Sequence, residues 1–216
     1  MLALHVSLKE THAFVSKHVV ANSAKDNSAK EHSLVKLLSL EDAWEVFLEA
    51  PTCRRFLTLR ELVIGEADYI PAMGTLLELE SLLRRNHYEQ VQRRVEELLP
   101  AWALCPRLHY LAGCAAEGLG DAEELELCQF LSQTCVEGIL STGDGSQRRP
   151  WLATYPSDAA DCLAHMRLSI ESQRLVESDS GLRDVVTACD GRTFWFDVDQ
   201  MVAAGAAIPQ TADLAR

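Results

Sequence analysis

The sequence predicts an α+β fold in which antiparallel helix hairpins lead into a small antiparallel sheet accompanied by one short helix. Two stretches carry that expectation. Between Leu76 and Leu140 apolar residues recur at three- and four-residue steps, the pattern of amphipathic helices that bury one face. Beyond Gly143 the pattern gives way to β-formers. There Asp190-Gly191 separates Val185–Cys189 from Thr193–Phe196, as the centre of a tight hairpin would, with positive φ at both turn residues.

Each element follows from local chemistry. Ser39, with Asp42 three residues on, forms a capping box that starts a helix carrying Ala43, Trp44, Phe47 and Leu48 and closing at Pro51. Thr58–Ile64 gives a short second helix, and Gly65 and Pro71 bracket a turn around Tyr69. Four longer helices follow. The first carries Leu76, Leu79 and Leu83, and the second runs from Tyr88 to Pro100. The third runs from Pro106 to a stop at Gly120-Asp121, and the fourth takes Leu125 through Leu140. The turns Asn86–Tyr88 and Gly120–Ala122 stand 34 residues apart. That is the period of the tetratricopeptide helix–turn–helix unit. Gly113 falls where such a unit keeps a small residue, although the aromatic positions of the repeat are not matched.

Further on, Gly143 is placed to cap the last of these helices in the left-handed conformation. Pro150–Tyr155 reads as a strand, Ser157 as the cap of a short helix containing Cys162 and Leu163, and 168–176 and 182–189 as strands. The chain thus divides into an N-terminal appendage at 1–38, partly helical or flexible, a helical domain at 39–142, a small α+β domain at 150–202 and a poorly ordered tail at 203–216.

Charge is unevenly spread along the 216 residues, whose formal net charge is −12. All five lysines (Lys9, Lys17, Lys25, Lys30, Lys36) fall in the first 36 residues, and the first 40 sum to +2. From Glu41 onward 15 arginines face 29 acidic residues, giving −14. An acidic body repels phosphate, which argues against general binding to nucleic acid or anionic membranes. No run of about 18 apolar residues marks a membrane span, and Lys9 and Glu10 interrupt any leader-like start, so a cytoplasmic protein is expected. The seven cysteines include no CxxC pair and read as small buried hydrophobes, with neither a zinc site nor a disulfide framework.

A set of short motifs carries a resemblance. It comprises Tyr88, Pro100, Tyr110-Leu111-Ala112 and Leu119-Gly120-Asp121, then Ile139 to Gly145, Ser172 to Val176, Arg183-Asp184-Val185 and Phe196-Asp197-Val198. Over residues 43–200 these resemble a bacterial family of uncharacterised proteins, catalogued as a domain of unknown function, with tetratricopeptide-like helices and a small C-terminal sheet. The resemblance implies the architecture and transfers no activity. The loop Gln147-Arg148-Arg149 departs from the small polar residues usual there, and the first 40 residues fall outside it.

Candidate chemistry is sparse. Gly143-Asp144-Gly145 followed by Arg148-Arg149 and Trp151 suggests an anion-binding loop, set against a plain helix cap and solvated connection. A lone GDG lacks the rest of a phosphate loop. Cys162, His165 and Asp158 or Asp161 have the types of a thiol nucleophile, base and orienter, but a helical cysteine with apolar flanks is ordinarily core. Asp197 and Asp199 lie two apart and suggest a cation site or carboxylate pair, against strand-end acids that block edge pairing. His87 and His109 sit near repeat turns, and His5, His12, His18 and His32 lie in the appendage, none at ligand spacing. Trp151 and Trp195 are expected in the core of the sheet.

No catalytic centre, metal site or cofactor is expected from these residues. The reading favoured is a protein- or peptide-binding module built on helical repeats, with a partner of basic character. Two alternatives stand beside it: a small enzyme or ligand-binding protein with its site where the helices meet the sheet, and a self-associating structural protein.

Overall fold

A computed structural model describes residues 39–178 and 180–208. The remaining residues, and with them the expectations for 1–38 and for the end of the tail, lie outside the described residues.

The first two helices, α1 (Leu40–Glu49) and α2 (Cys53–Gly65), begin at side-chain caps. The Ser39 hydroxyl accepts from the Asp42 amide at 3.1 Å while the Asp42 carboxylate accepts from the Ser39 amide, completing the expected box. Thr52 caps α2 through the Arg55 amide, so this helix starts five residues earlier than its apolar pattern suggested. Four helices follow as expected: α3 (Met73–Arg84), α4 (Tyr88–Trp102), α5 (Pro106–Leu119) and α6 (Ala122–Ser141). Pro106 opens α5, where its missing N–H is no loss. Gly120 closes α5 at φ 74°, and the Asp121 carboxylate then accepts from the Glu124 amide to open α6. Pro100 sits inside α4 rather than ending it.

The helices pack in the pairs α1–α2, α3–α4, α4–α5 and α5–α6, and small residues set how closely some of them approach. A Cβ on Gly113 would lie 3.3 Å from the Cβ of Cys128, so α5 and α6 meet almost backbone to backbone there. Gly118 faces the Tyr88 ring and Gly138 the Phe56 ring at distances that leave no room for a methyl group.

The C-terminal region contains β1 (Trp151–Leu152), α7 (Asp158–His165), β2 (Ile170–Ser178), β3 (Gly181–Ala188), β4 (Thr193–Asp197) and α8 (Asp199–Ala203). The four strands form one sheet in the order β1-β4-β3-β2. The β2–β3 and β3–β4 pairs are antiparallel, but β1 runs parallel to β4, with Trp151 opposite Phe196. The sheet is therefore mixed, and the expected strand at 150–155 shortens to two residues. After Ala153 the chain turns inward, because the Thr154 and Tyr155 amides are claimed by the Asp158 carboxylate at 2.7 and 2.9 Å.

Several local expectations are corrected. Gly143 does not take positive φ; it is glycine because the carbonyls of Arg149 and Pro150 would stand 2.3 and 2.5 Å from any Cβ. Ser157 makes no capping bond to α7. The β3–β4 connection spans Cys189–Arg192, and of the Asp190-Gly191 pair only Gly191 has positive φ, at 84°. Trp151 is buried and stacked on Phe194 at 5.4 Å, whereas Trp195 alternates to the other face of β4 and is only half-buried. The tail begins inside the fold, since Ala206 joins the core.

A single apolar core runs from Ala43 in α1 to Ala206 beyond α8, continuous through helices and sheet. An aromatic contact joins the two parts: Tyr155 stacks on Trp102 of α4 at 4.9 Å and donates its hydroxyl to the Ala101 carbonyl at 2.8 Å.

Candidate functional site

A cleft of about 560 Å³ opens between α5, α6 and α7. The apolar stripe of α5 (Leu108, Leu111, Ala112, Ala115) faces the core. Its other residues, Arg107, Tyr110, Cys114 and Glu117, recur at three- and four-residue steps and line the cleft. Opposite them α6 supplies Gln129, Ser132 and Gln133, and α7 closes one end with Asp161 and His165.

The floor is an ion pair. Arg107 donates Nε and Nη2 to Oδ1 of Asp161 at 2.8 and 2.6 Å. The same guanidinium lies over the ring of Tyr110, 5.8 Å from its centre. Burial pushes the Asp161 carboxyl above its ordinary range, and Arg107 opposes that shift. Tyr110 is 56% exposed, an unusual position for an aromatic ring, and its bond with Cys114 raises the phenol. Ser132 donates to the Pro106 carbonyl at 3.0 Å, and Gln133 to Glu137 at 2.8 Å. The lining is thus an aromatic ring among amide and charged side chains, with Leu125, Val136 and Ala164 as its apolar part.

The anion-loop residues do not converge. Asp144 and Arg149 face each other at 3.8 Å, both well exposed. The Asp144 and Gly145 amides donate to the Arg149 carbonyl at 3.0 and 3.2 Å, so the loop closes on itself. Hydrogen bonds with Ser146 hold the Asp144 carboxyl below its ordinary range. Arg148 is exposed, while Trp151 lies buried beneath Gly145.

Nor do the thiol residues assemble. Cys162 is fully buried, and burial pushes its thiol far above the ordinary value, which opposes thiolate formation. His165 is exposed in the cleft, away from that core position. Asp158 serves the backbone of Thr154 and Tyr155. Asp197 and Asp199 are both occupied by Arg183, at 3.2 and 3.5 Å, and Asp199 also accepts from the Leu182 amide at 2.6 Å. His109 is buried, hydrogen-bonded to the Ala103 carbonyl at 2.7 Å, and its pKa is lowered by burial to about 4. His87 is half-buried at the α3–α4 turn. Among the described residues no group of three His, Cys, Asp or Glu side chains is placed to hold a metal ion, and no helix is long and apolar enough to cross a membrane.

No known family, curated protein or solved structure matches this chain.

A second polar cluster lies where the helices meet the sheet. Arg60 of α2 is buried; it donates Nε to the Thr154 hydroxyl at 3.0 Å, Nη2 to the Ala153 carbonyl at 2.7 Å, and Nη1 to Gln200. Tyr69 donates to the Thr154 carbonyl at 2.6 Å. These bonds fasten the turn that follows β1 to α2 and to Tyr69. Sequence reasoning overlooked both places. The alternation of Arg107, Tyr110, Cys114 and Glu117 with the apolar stripe of α5 was the available signal for the cleft.

Proposed function

We propose that this chain is a peptide-binding module, with the cleft between α5, α6 and α7 as its receiving surface. One observation carries the reading: an exposed tyrosine, fixed over a buried-side ion pair, stands in a helix-lined groove with amide side chains along the facing wall. A ring held in place contributes contact area at little entropy loss, and amides can bond to an extended backbone. Stacked helix hairpins offer such grooves, and here α7 closes one end of the groove.

Charge favours a basic ligand. The acids that line the cleft are Glu117 and Asp161, and Arg107 is the one Lys or Arg beside them. Arg107 is already neutralised by Asp161.

The test is binding of lysine-bearing synthetic peptides to the full chain, followed by fluorescence anisotropy at two salt concentrations. Binding should weaken with salt, because exposed charges are screened. Tyr110→Ala should weaken it by about 1 kcal/mol or more, as for an interface aromatic, with the melting temperature unchanged. Binding that ignores both Tyr110→Ala and Glu117→Gln places the peptide elsewhere and overturns the reading.

A further inference from the structure

The outer side of α3 carries three features that packing within the chain does not require. The first is apolar exposure. Leu77 of α3 is 54% exposed, and Ile70, just ahead of the helix, is 62% exposed. The second is Gly74, the second residue of α3, which lies between them in the sequence. Gly113, Gly118 and Gly138, inside other helices, each have an atom of the fold within 3.3 Å of the missing Cβ, whereas a Cβ on Gly74 would meet none within 4 Å. Gly74 does not take positive φ either. Glycine is a poor helix former, so its presence here leaves a gap that no part of the fold fills. Gly74, Leu77 and Ser81 follow at three- and four-residue steps and share one face, while Leu76 and Leu79 turn into the core.

The third feature is charge. Glu66 and Asp68 are exposed ahead of the helix, and Arg84 and Arg85 are exposed at its end. Arg84 reaches Glu80 only at 3.9 Å, and Arg85 donates to the Ser81 carbonyl of its own helix at 3.1 Å. Among the described residues Glu66, Asp68 and Arg85 make no ion pair.

We propose that this face joins two copies of the chain, α3 of one lying antiparallel on α3 of the other about a twofold axis. A surface with a protruding side chain, a gap one turn away and opposite charges at its two ends is complementary to itself when reversed. With the axis between Thr75 and Leu76, Leu77 of each copy fills the gap over Gly74 of the other. Ile70 then meets the turn at Ser81, and Glu66 and Asp68 stand at the end that carries Arg84 and Arg85. One helix from each copy makes a small contact, so the dimer is reversible rather than permanent. The cleft lining is drawn from α5, α6 and α7, so this contact is separate from it and does not depend on the peptide reading.

The test is sedimentation equilibrium of the full chain across about a hundredfold range of concentration. A monomer–dimer equilibrium is expected. Leu77→Glu should shift it toward monomer by about tenfold or more, because every substitution enters the contact twice. Gly74→Leu should do the same by filling the gap. Its melting temperature in dilute solution should hold or rise, since the site is open and leucine is the better helix former.

Charge reversal supplies an arm in which association is regained. E66R/D68R and R84E/R85E should each be weakened as dimers, while an equimolar mixture should dimerise, because only the mixed pair sets unlike charges against each other at both ends. A chain that stays monomeric at every concentration overturns the proposal. So does a dimer that tolerates either Leu77→Glu or Gly74→Leu. A mixture of the two charge variants that associates no better than each alone refutes the antiparallel arrangement.

Discussion

Substituting Gly138 by alanine sets two effects of opposite sign against each other. Alanine in a helix interior is favoured over glycine by about 1 kcal/mol, so an unobstructed Gly138→Ala would stabilise α6. The structure obstructs it. The added Cβ would fall 2.3 Å from Cδ2, 2.8 Å from Cε2 and 3.1 Å from Cγ of Phe56. Ordinary carbon contacts need about 3.5–4 Å, so the ring must retreat by more than about 1 Å. Phe56 is fully buried and lies against Phe47 at 5.8 Å, which leaves it nowhere to go unless α2 and α6 separate. Overpacking of this kind costs about 3 kcal/mol at the upper end of its range, giving a net loss of about 2 kcal/mol. For a chain of this length that lowers the melting temperature by about 4–8 °C.

The assay is urea unfolding followed by far-ultraviolet circular dichroism, on Gly138→Ala, Phe56→Leu and the double variant. Phe56→Leu alone loses apolar volume and should cost about 1–2 kcal/mol. In its presence the alanine has room, so the second substitution should be neutral or stabilising, with a coupling of at least about 1 kcal/mol. If Gly138→Ala is as stable as the parent, or the two changes simply add, the close approach of α2 and α6 is wrong.

Two further predictions concern ionisation. Burial raises the carboxyls of Asp158 and Asp184 to about 7. Both then hold protons in the folded state that the unfolded chain releases near pH 4, so their contribution to stability is full below about pH 4 and falls as the pH rises to 7. Asp184→Asn keeps the acceptor for the Gln173 amide, now at 2.7 Å, and should reduce the stability difference between pH 5 and 7 by about 2 kcal/mol. An unchanged pH profile would show that the acid is not neutral in the fold. Among the cysteines, exposed Cys189 should react with a disulfide reagent first, and Cys105, Cys135 and Cys162 only after denaturant is added. Rapid native labelling of Cys162 would revive it as a nucleophile.

How much was readable from the sequence depended on whether the information was local. The helices α3 to α6 were legible because their apolar spacing, Pro106 and Gly120 each act within a few residues. The two-residue strand β1 was not, because it is defined by pairing with Phe196 and Asp197, more than forty residues on. The same holds for Gly143, whose glycine requirement comes from the Arg149 and Pro150 carbonyls rather than from its own φ. The anion loop looked promising because Asp144, Arg148 and Arg149 are adjacent in sequence, whereas its amides were already committed to Arg149. The cleft joins residues as far apart as Arg107 and Asp161, a proximity that follows from α7 packing across α5 and α6.

The small size of β1 conceals its importance for solubility. Without it, β4 would form the sheet margin, and its run Thr193-Phe194-Trp195-Phe196 is aromatic, uncharged and free of proline. Such a run with open amides and carbonyls is a template for intermolecular β-pairing and aggregation. Trp151 and Leu152 pair with Phe196 and Asp197 at its C-terminal end, the Gly145 carbonyl accepts from the Trp195 amide at 2.9 Å, and the Thr142 hydroxyl accepts from the Leu152 amide at 2.9 Å. This short strand and the loop before it, tethered from the end of α6, thus occupy the backbone groups of Trp195, Phe196 and Asp197 that another chain would otherwise pair with.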